Sequence, residues 1–497
     1  MNRDGQLPVS LGESPELDAF ARRRRTFTAD PYRPDYHFVP PGGLLHDPNG
    51  ALSWNGRYHL FYQFWPPDVS TDRTWDEAMH WGHAVSEDLV HWQDLPIALS
   101  PADGPEAGCF SGQALVEDNR VVLSYFGTEA GISIATAEDE YLTDVTKADG
   151  NPVIPLDDEA PYEVFDPCLW RANGSYYALS GWKRDGRTTE FCFESQDLTD
   201  WTYRGPLLED GYHTSPGEDG AVPNFFELDG SHVLLFFSHS HGPQYYVGDY
   251  DGDASFDIRS HGRLNHGPTD HSNLHAPSVL HADDGRRIAV FNVVEGRHHW
   301  SERPDDGWAG VMSLPRRLSL DGDALCLEPV NELTALRTNH RYIEGHTVPA
   351  NEEWVVPDIG GASIELDARI DVADAEALEL SVLRSPDGSE ATTVAYWAGA
   401  GSLGIDPQRS SENHEAKGRP PEVAPFELDD DEPLDLRVFV DKSIVEVFAN
   451  GRQTLTTRVY PDRSDSIGVS LTARRGRAHL EGMDVWDMQS IWTGSGP

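Results

Sequence analysis

One pattern of polar and apolar positions recurs five times along residues 45 to 300. Each copy opens on a polar start, runs through a short apolar stretch to a polar turn, and returns through a strongly apolar stretch. The copies are DPNGALSWNGRYHLFYQF from Asp47, SGQALVEDNRVVLSYFG from Ser111, DPCLWRANGSYYALSGW from Asp166, VPNFFELDGSHVLLFFSH from Val222 and APSVLHADDGRRIAVFNVV from Ala276. Short apolar runs bounded by turn residues read as strands, so each copy is a hairpin. Asn55-Gly56, Asn173-Gly174 and Asp229-Gly230 supply tight turns that need positive φ, and Asp118-Asn119 serves in the second copy. Pro48, Pro167, Pro223 and Pro277 mark four of the copies, spaced about 55 residues apart once the proline-free second unit is counted. A hairpin repeated at that period predicts a five-bladed β-propeller.

After Leu336 the texture changes. The segment EPVNELTALR leads out of the repeats, and LRVFVDKSIVEVFANGRQTLTTRVYP, from Leu436, alternates like the strands of a sandwich, with Asn450-Gly451 at a hairpin. The reading is therefore an all-β chain, a five-bladed β-propeller followed by a C-terminal β-sandwich. Residues 1–35 form an N-terminal arm, 36–340 the propeller and 345–490 the sandwich, with the boundary between about 338 and 350. A propeller brings the start of each innermost strand to its central channel. Asp47, Ser111, Asp166, the Glu218/Asp219 pair and His275 are thus expected to converge. Carboxylates from three blades at one funnel are what glycoside hydrolysis requires.

Charge narrows the function classes. The 497 residues carry 38 Lys+Arg against 84 Asp+Glu, a net charge of −46, and the only lysines are Lys147, Lys183, Lys417 and Lys442. Such a surface offers nothing to neutralise phosphates, so nucleic acid and anionic membranes are excluded as partners. The acids are spread along the whole chain, as in a protein adapted to concentrated salt, where a Debye length of about 3 Å at ~1 M screens their repulsion. Cys109, Cys168, Cys192 and Cys326 have no metal-ligand spacing and no disulfide pattern. Arg22–Arg25 is followed by no apolar stretch, so it reads as a solvated arm rather than an export signal, and a cytoplasmic location is expected. His239-Ser240-His241 and His298-His299 read as rim residues, so no metal and no cofactor are expected.

From Tyr36 onward the chain resembles glycoside hydrolase family 32, the family of invertases, levanases and inulinases. YHFVPPGGLLHDPNG is similar to the family's first blade, CFSGQAL to its Phe-Ser-Gly segment, GWAGVMSLPRRLSL to the end of its propeller, and VDKSIVEVFANGRQTLTTRVYP to its C-terminal signature. The resemblance implies that Asp47 is the nucleophile of a retaining β-fructofuranosidase and that Asp166 holds fructose hydroxyls. It implies that His46, Asn49, Gln63, Trp81, Phe110 and Ser111 bind the substrate, a small sugar such as sucrose or a fructo-oligosaccharide. Three positions depart from the family. His46 replaces an Asn, Phe165 replaces the Arg of Arg-Asp-Pro, and Ala221-Val222-Pro223 stands where Glu-Cys-Pro carries the acid/base. Glu218 is the first substitute for that acid and Asp219 the second. The same fold also admits a fructosyltransferase, or a fructan-binding protein that has lost the acid. The sequence leaves the oligomeric state open.

Structure or activity is expected to fall as salt drops well below about 1 M, because unscreened carboxylates repel. Equal melting temperatures in low and molar KCl would count against salt adaptation.

Overall fold

The computed structural model describes residues 14–208, 214–253, 255–269, 272–297, 303–304, 307–413 and 419–492. Five sheets form the propeller. Blade I comprises strands Gly43–Trp54, Arg57–Trp65, His80–Ser86 and Trp92–Leu99. Blade II is built on Cys109–Val116, Val121–Gly127 and Gly131–Ala137, with two short edge pieces. Blade III comprises Pro167–Ala172, Ser175–Arg184, Arg187–Ser195 and Trp201–Pro206, and blade IV Ala221–Leu228, Ser231–Ser238, Gly242–Tyr250 and Phe256–Arg263. Blade V comprises Leu274–His281, Arg287–Val293, Arg316–Asp321 and Ala324–Pro329. The hairpin turns fall where the sequence places them: Trp54 pairs with Arg57 across Asn55-Gly56, Ala172 with Ser175, and Leu228 with Ser231.

The first strand of each blade is innermost, and the five inner strands touch one another in a ring. Channel-facing side chains stitch them together. Ser278 Oγ accepts from Ala51 N (3.0 Å) and donates to Gln113 Oε1 (3.1 Å), while Asn224 accepts from Val279 N (2.9 Å) and donates to Pro277 O (3.2 Å). The ring closes through the segment between the second and third strands of blade V. Trp308–Ala309 lies parallel to Gly43–Leu44, and Val311–Met312 pairs back onto Asn292–Val293. Closure covers sheet edges that would otherwise expose unpaired backbone groups.

The arm differs from the solvated segment expected of Arg22–Arg25. Pro15–Thr26 is a helix docked on blade I. Phe20 is buried edge-on to Phe64, and Arg24 grips Asp94 through two bonds (2.6 and 2.7 Å) while stacking on Trp492 at 3.4 Å. Bidentate, stacked arginine is a docking group rather than a solubilising one. Four like charges in sequence conceal this, because the carboxylate that neutralises Arg24 lies 70 residues away.

We place the junction between propeller and sandwich at the short helical turn Asn331–Leu336. The sandwich packs one sheet, in the order Arg337–Val348, Ala478–Met488, Ser363–Asp371, Leu434–Asp441, Ile444–Ala449, Gln453–Arg458, against a second. The second runs Glu353–Gly360, Gly468–Arg474, Ala377–Arg384, Thr392–Trp397, Ser402–Asp406, Glu422–Pro425. Leu366, Leu380, Val438, Val447, Leu471 and Val485 lie in its core. The other face of the first sheet is buried on the propeller, where Phe439 and Phe448 join Met312, Leu314 and Leu333 in one cluster.

Buried charges cross this junction. Asp441 accepts the N–H groups of Asp35 (2.7 Å), Tyr36 (2.8 Å) and His37 (3.0 Å), together with His37 Nδ1 (2.9 Å). Glu446 accepts Leu314 N (3.0 Å) and Arg316 Nη2 (3.0 Å), and lies 3.5 Å from His37 Nε2. These side chains are fully buried, and buried charges are tolerated only when each finds its partner. Burial alone would push His37 down, but its bonds to Asp441 and Glu446 hold it above its ordinary 6.5.

Removing Glu446 as Glu446→Leu strands Arg316 and is expected to cost about 3–5 kcal/mol in denaturant unfolding. Because the folded pKa of His37 is raised, its contribution is complete below pH 6.5 and is lost as pH rises through the folded value. The melting temperature should therefore fall over that interval, and fall less steeply in His37→Asn.

Candidate active site

The funnel is built from one irregularity repeated around the ring. In blades I, II, IV and V the ladder between first and second strands breaks register, between Leu45 and Pro48, Cys109 and Gly112, Ala221 and Asn224, and Leu274 and Pro277. Such bulges free side chains from the pleat and aim them off the sheet. The residue just before Pro48, Gly112, Pro167, Pro223 or Pro277 is Asp47, Ser111, Asp166, Val222 or Ala276, one from each blade. The residue before that is His46, Phe110, Phe165, Ala221 or His275.

Asp47 is buried and surrounded by donors. Its Oδ2 accepts from Ser111 Oγ at 2.7 Å, and Gln63 Nε2 donates to the same serine at 2.8 Å. Its Oδ1 faces His46 Nδ1 at 2.8 Å and His275 Nδ1 at 3.4 Å. Burial would raise its pKa, but the charge of His46 and the bonds from both histidines outweigh that and hold it far below the carboxylate range. Asp47 stays ionised. His275 is pushed down to about 4, chiefly by burial, and so donates as a neutral ring at neutral pH.

Asp166 is the opposite case. Burial first, and then the charge of Asp47, push it well above the ordinary carboxylate value. Its Oδ2 accepts from Val222 N at 3.3 Å, and its buried Oδ1 has no hydrogen-bond partner among the described residues. Val222 holds that N–H in place with φ near 50°, a strained conformation for a β-branched residue.

Blade IV presents an apolar face. Ala221 and Val222 pack with Phe237, Ala276 and Phe165. The carboxylate of Glu218 turns into the blade, where it accepts from Gln244 Nε2 and Ser215 N (2.8 Å) and meets His241 Nδ1 at 2.8 Å and Arg263 Nη2 at 3.4 Å. Burial would raise Glu218, but these donors hold it below its ordinary value. Asp219 turns the other way, toward His239: its Oδ1 accepts from His239 Nδ1 at 2.9 Å and from His239 N at 3.3 Å.

Asp47, Ser111, Asp166 and His275 thus come together as expected, with Gln63 and His46 beside them. Phe110 is half-buried at the wall. Trp81 is fully buried behind it, with its indole N–H donated to Phe110 O at 2.8 Å. Asn49 is also fully buried, placed to accept from Gln63 N and donate to Pro48 O, each at 3.2 Å. His298-His299 lies outside the described residues. Sequence reasoning missed Trp75, Trp182, Phe237 and His239. Trp75 meets His46 at 5.1 Å, Phe237 meets His275 at 3.7 Å, and Trp182 stacks on Phe165 at 4.3 Å and meets His239 edge-on at 6.0 Å. The available signal was the pair His239 and His241, which face Asp219 and Glu218 respectively.

His46, Asp47 and His275 place ligand atoms within 4.8 Å of one another, the grouping among the described residues that suits a metal ion. Both Nδ1 atoms point at the same Asp47 oxygen, however, which is how hydrogen-bond donors surround an anion.

Two buried carboxylates whose pKa values are pushed in opposite directions, gathered in a propeller funnel, are the arrangement of a glycoside hydrolase. Residues 37–329 match the glycosyl hydrolases family 32 N-terminal domain and residues 332–487 the family 32 C terminal, and the chain belongs to that family. It is 32% identical over 496 residues to a sucrose-6-phosphate hydrolase of Escherichia coli, covering 94% of this chain and 96% of that one. A levanase of Bacillus subtilis is 30% identical over 508 residues, covering 93% of this chain and 71% of the levanase. Among solved structures, fructan 1-exohydrolase IIa from Cichorium intybus superposes with a TM-score of 0.80 at 23% identity, covering 93% and 98% of the two chains.

If the His46–Asp47–His275 group works through hydrogen bonds, activity should survive exhaustive dialysis against EDTA. Loss of activity that zinc restores would reassign the group.

Proposed function

We propose that this chain is a retaining β-fructofuranosidase that hydrolyses terminal β-D-fructofuranosyl bonds in sucrose or fructans. The observation that carries the reading is Asp47: buried, ionised and aimed by Ser111, His46 and His275 at the funnel axis. Its carboxylate attacks the anomeric carbon and forms a fructosyl-enzyme, which water then hydrolyses. Asp166 lies across the funnel as a buried carboxyl with a free oxygen, suited to the fructose hydroxyls and to tightening on them as the ring flattens in the oxocarbenium-like transition state. Phe110 and the Trp182–Phe165 stack supply apolar walls for the sugar faces. Trp81 and Asn49 brace the wall from behind. The leaving oxygen takes its proton from the blade IV side, where Glu218, Asp219 and the Asp219-paired His239 lie.

No helix among the described residues is long and apolar enough to cross a membrane. A cytoplasmic location accords with four unpaired, buried cysteines. The substrate is a small sugar, sucrose or a fructo-oligosaccharide, rather than a nucleic acid or lipid surface.

A second reading, a fructan-binding protein, has one observation in its favour: Ala221 and Val222 make blade IV apolar where the family carries its acid. One variant separates the two. Asp47→Asn is expected to abolish sucrose hydrolysis with the fold intact. Near-normal turnover in that variant removes Asp47 from its role, and a wild-type protein that binds fructans without cleaving them establishes the binder.

A further inference from the structure

We propose that His239, oriented by Asp219, is the proton donor and acceptor of this site. The inference rests on the fructosidase reading above and identifies the group that replaces the missing family glutamate.

Four observations support it. Asp219 Oδ1 takes both the ring Nδ1 and the backbone N–H of His239, which fixes the ring plane and leaves Nε2 as the free nitrogen. The ring stands at the funnel wall, edge-on to Trp182 at 6.0 Å and to Phe237 at 5.1 Å, and Phe237 in turn packs on His275 beside Asp47. Its side chain is 52% exposed, so a substrate oxygen can reach it, whereas Glu218 is 1% exposed and already surrounded by donors. The position is also anionic. Asp219 and Asp47 face His239 from blades IV and I, the carboxyl of Asp166, which burial pushes upward, faces it from blade III, and neutral His275 faces it from blade V. Burial would push His239 down, but the bond to Asp219 and these charges outweigh it and hold the ring above its ordinary value. Paired Asp and His at this separation form an acid whose proton is available near neutral pH.

The steps balance. As Asp47 bonds to the anomeric carbon, the bond from that carbon to the leaving oxygen breaks, its electron pair stays on the oxygen, and the oxygen takes the Nε2 proton. His239 is then neutral, with Nδ1–H still held by Asp219. In the second half, water gives a proton to Nε2 as its oxygen bonds to the anomeric carbon. The bond to Asp47 breaks and returns the carboxylate. Asp219 is a positioning residue and touches no substrate atom.

The test compares sucrose with 4-nitrophenyl β-D-fructofuranoside, whose leaving group needs no proton, in wild type, His239→Gln, Asp219→Asn, Glu218→Gln and Asp47→Asn. His239→Gln is expected to lower kcat/KM for sucrose by about 10²- to 10⁴-fold and to lower the nitrophenyl substrate's less than tenfold. Wild-type kcat/KM for sucrose should fall as pH rises through the His239 pKa. His239→Gln should lack that alkaline limb, and Asp219→Asn should move it to lower pH. Asp47→Asn should lose both substrates. Equal losses on both substrates in His239→Gln, with the alkaline limb unmoved, overturn the donor assignment. A leaving-group split in Glu218→Gln instead assigns the role to Glu218. If wild type cleaves neither substrate, the fructosidase reading itself fails, an outcome distinct from failure of the dyad.

Discussion

Asp47 and Asp166 are buried together at one end of a central channel, and two adjacent carboxylates removed from water cannot both remain charged at low cost. The surroundings divide the charge between them. Asp47 collects a hydroxyl and two imidazoles, so its anion is solvated by the protein. Asp166 collects one backbone N–H and faces an anion, so its pKa is pushed up instead. Every other feature of the funnel follows from keeping that division. Ser111 must be held by Gln63, His275 must be neutral, and Val222 must accept a strained backbone to deliver the single N–H that Asp166 receives.

Such placement requires a rigid frame. The side chains of the site come from different blades, so their separation is set by ring closure rather than by any local segment. Trp308–Ala309 pairing with blade I closes the ring, and the sandwich clamps the seam through Asp441 and Glu446, both reaching buried groups of the propeller. The docked helix adds Arg24 at the same side, between Asp94 and Trp492. Exposed arginines such as Arg463 and Arg259 are also paired with carboxylates, but exposed pairs contribute little each. The excess of acid remains a matter for solvent and salt.

The altered blade IV is consistent with this electrostatic order. An ionised glutamate at position 221 would be a third carboxylate facing Asp47 and Asp166. Alanine there, with Phe165 in place of an arginine, exchanges an ion pair for apolar contact among Ala221, Val222, Phe237 and Phe165. The charge that remains on that side is carried by Asp219 and shared with His239.

The five hairpins, their turns, the sandwich and the placing of Asp47, Ser111, Asp166 and His275 were legible in the sequence. Strand periodicity is local, and a propeller converts each repeat's starting residue into a channel position by symmetry. Gln63 and Phe110 were legible only by resemblance. Other features depended on contacts between distant segments. Glu218 and Asp219 are neighbours in sequence, yet one carboxylate turns into blade IV toward Gln244 and the other toward His239, following the loop before the first strand of the blade. Trp81 reads as a pocket residue and is a buried brace, since the Phe110 carbonyl that claims its N–H comes from the next blade. Arg24 reads as solvated until Asp94 and Trp492 are beside it. The sequence by itself determined that Asp47, Ser111, Asp166 and His275 reach the funnel. Only the tertiary structure decided which of them are charged, because protonation depends on burial and on neighbours brought from other blades.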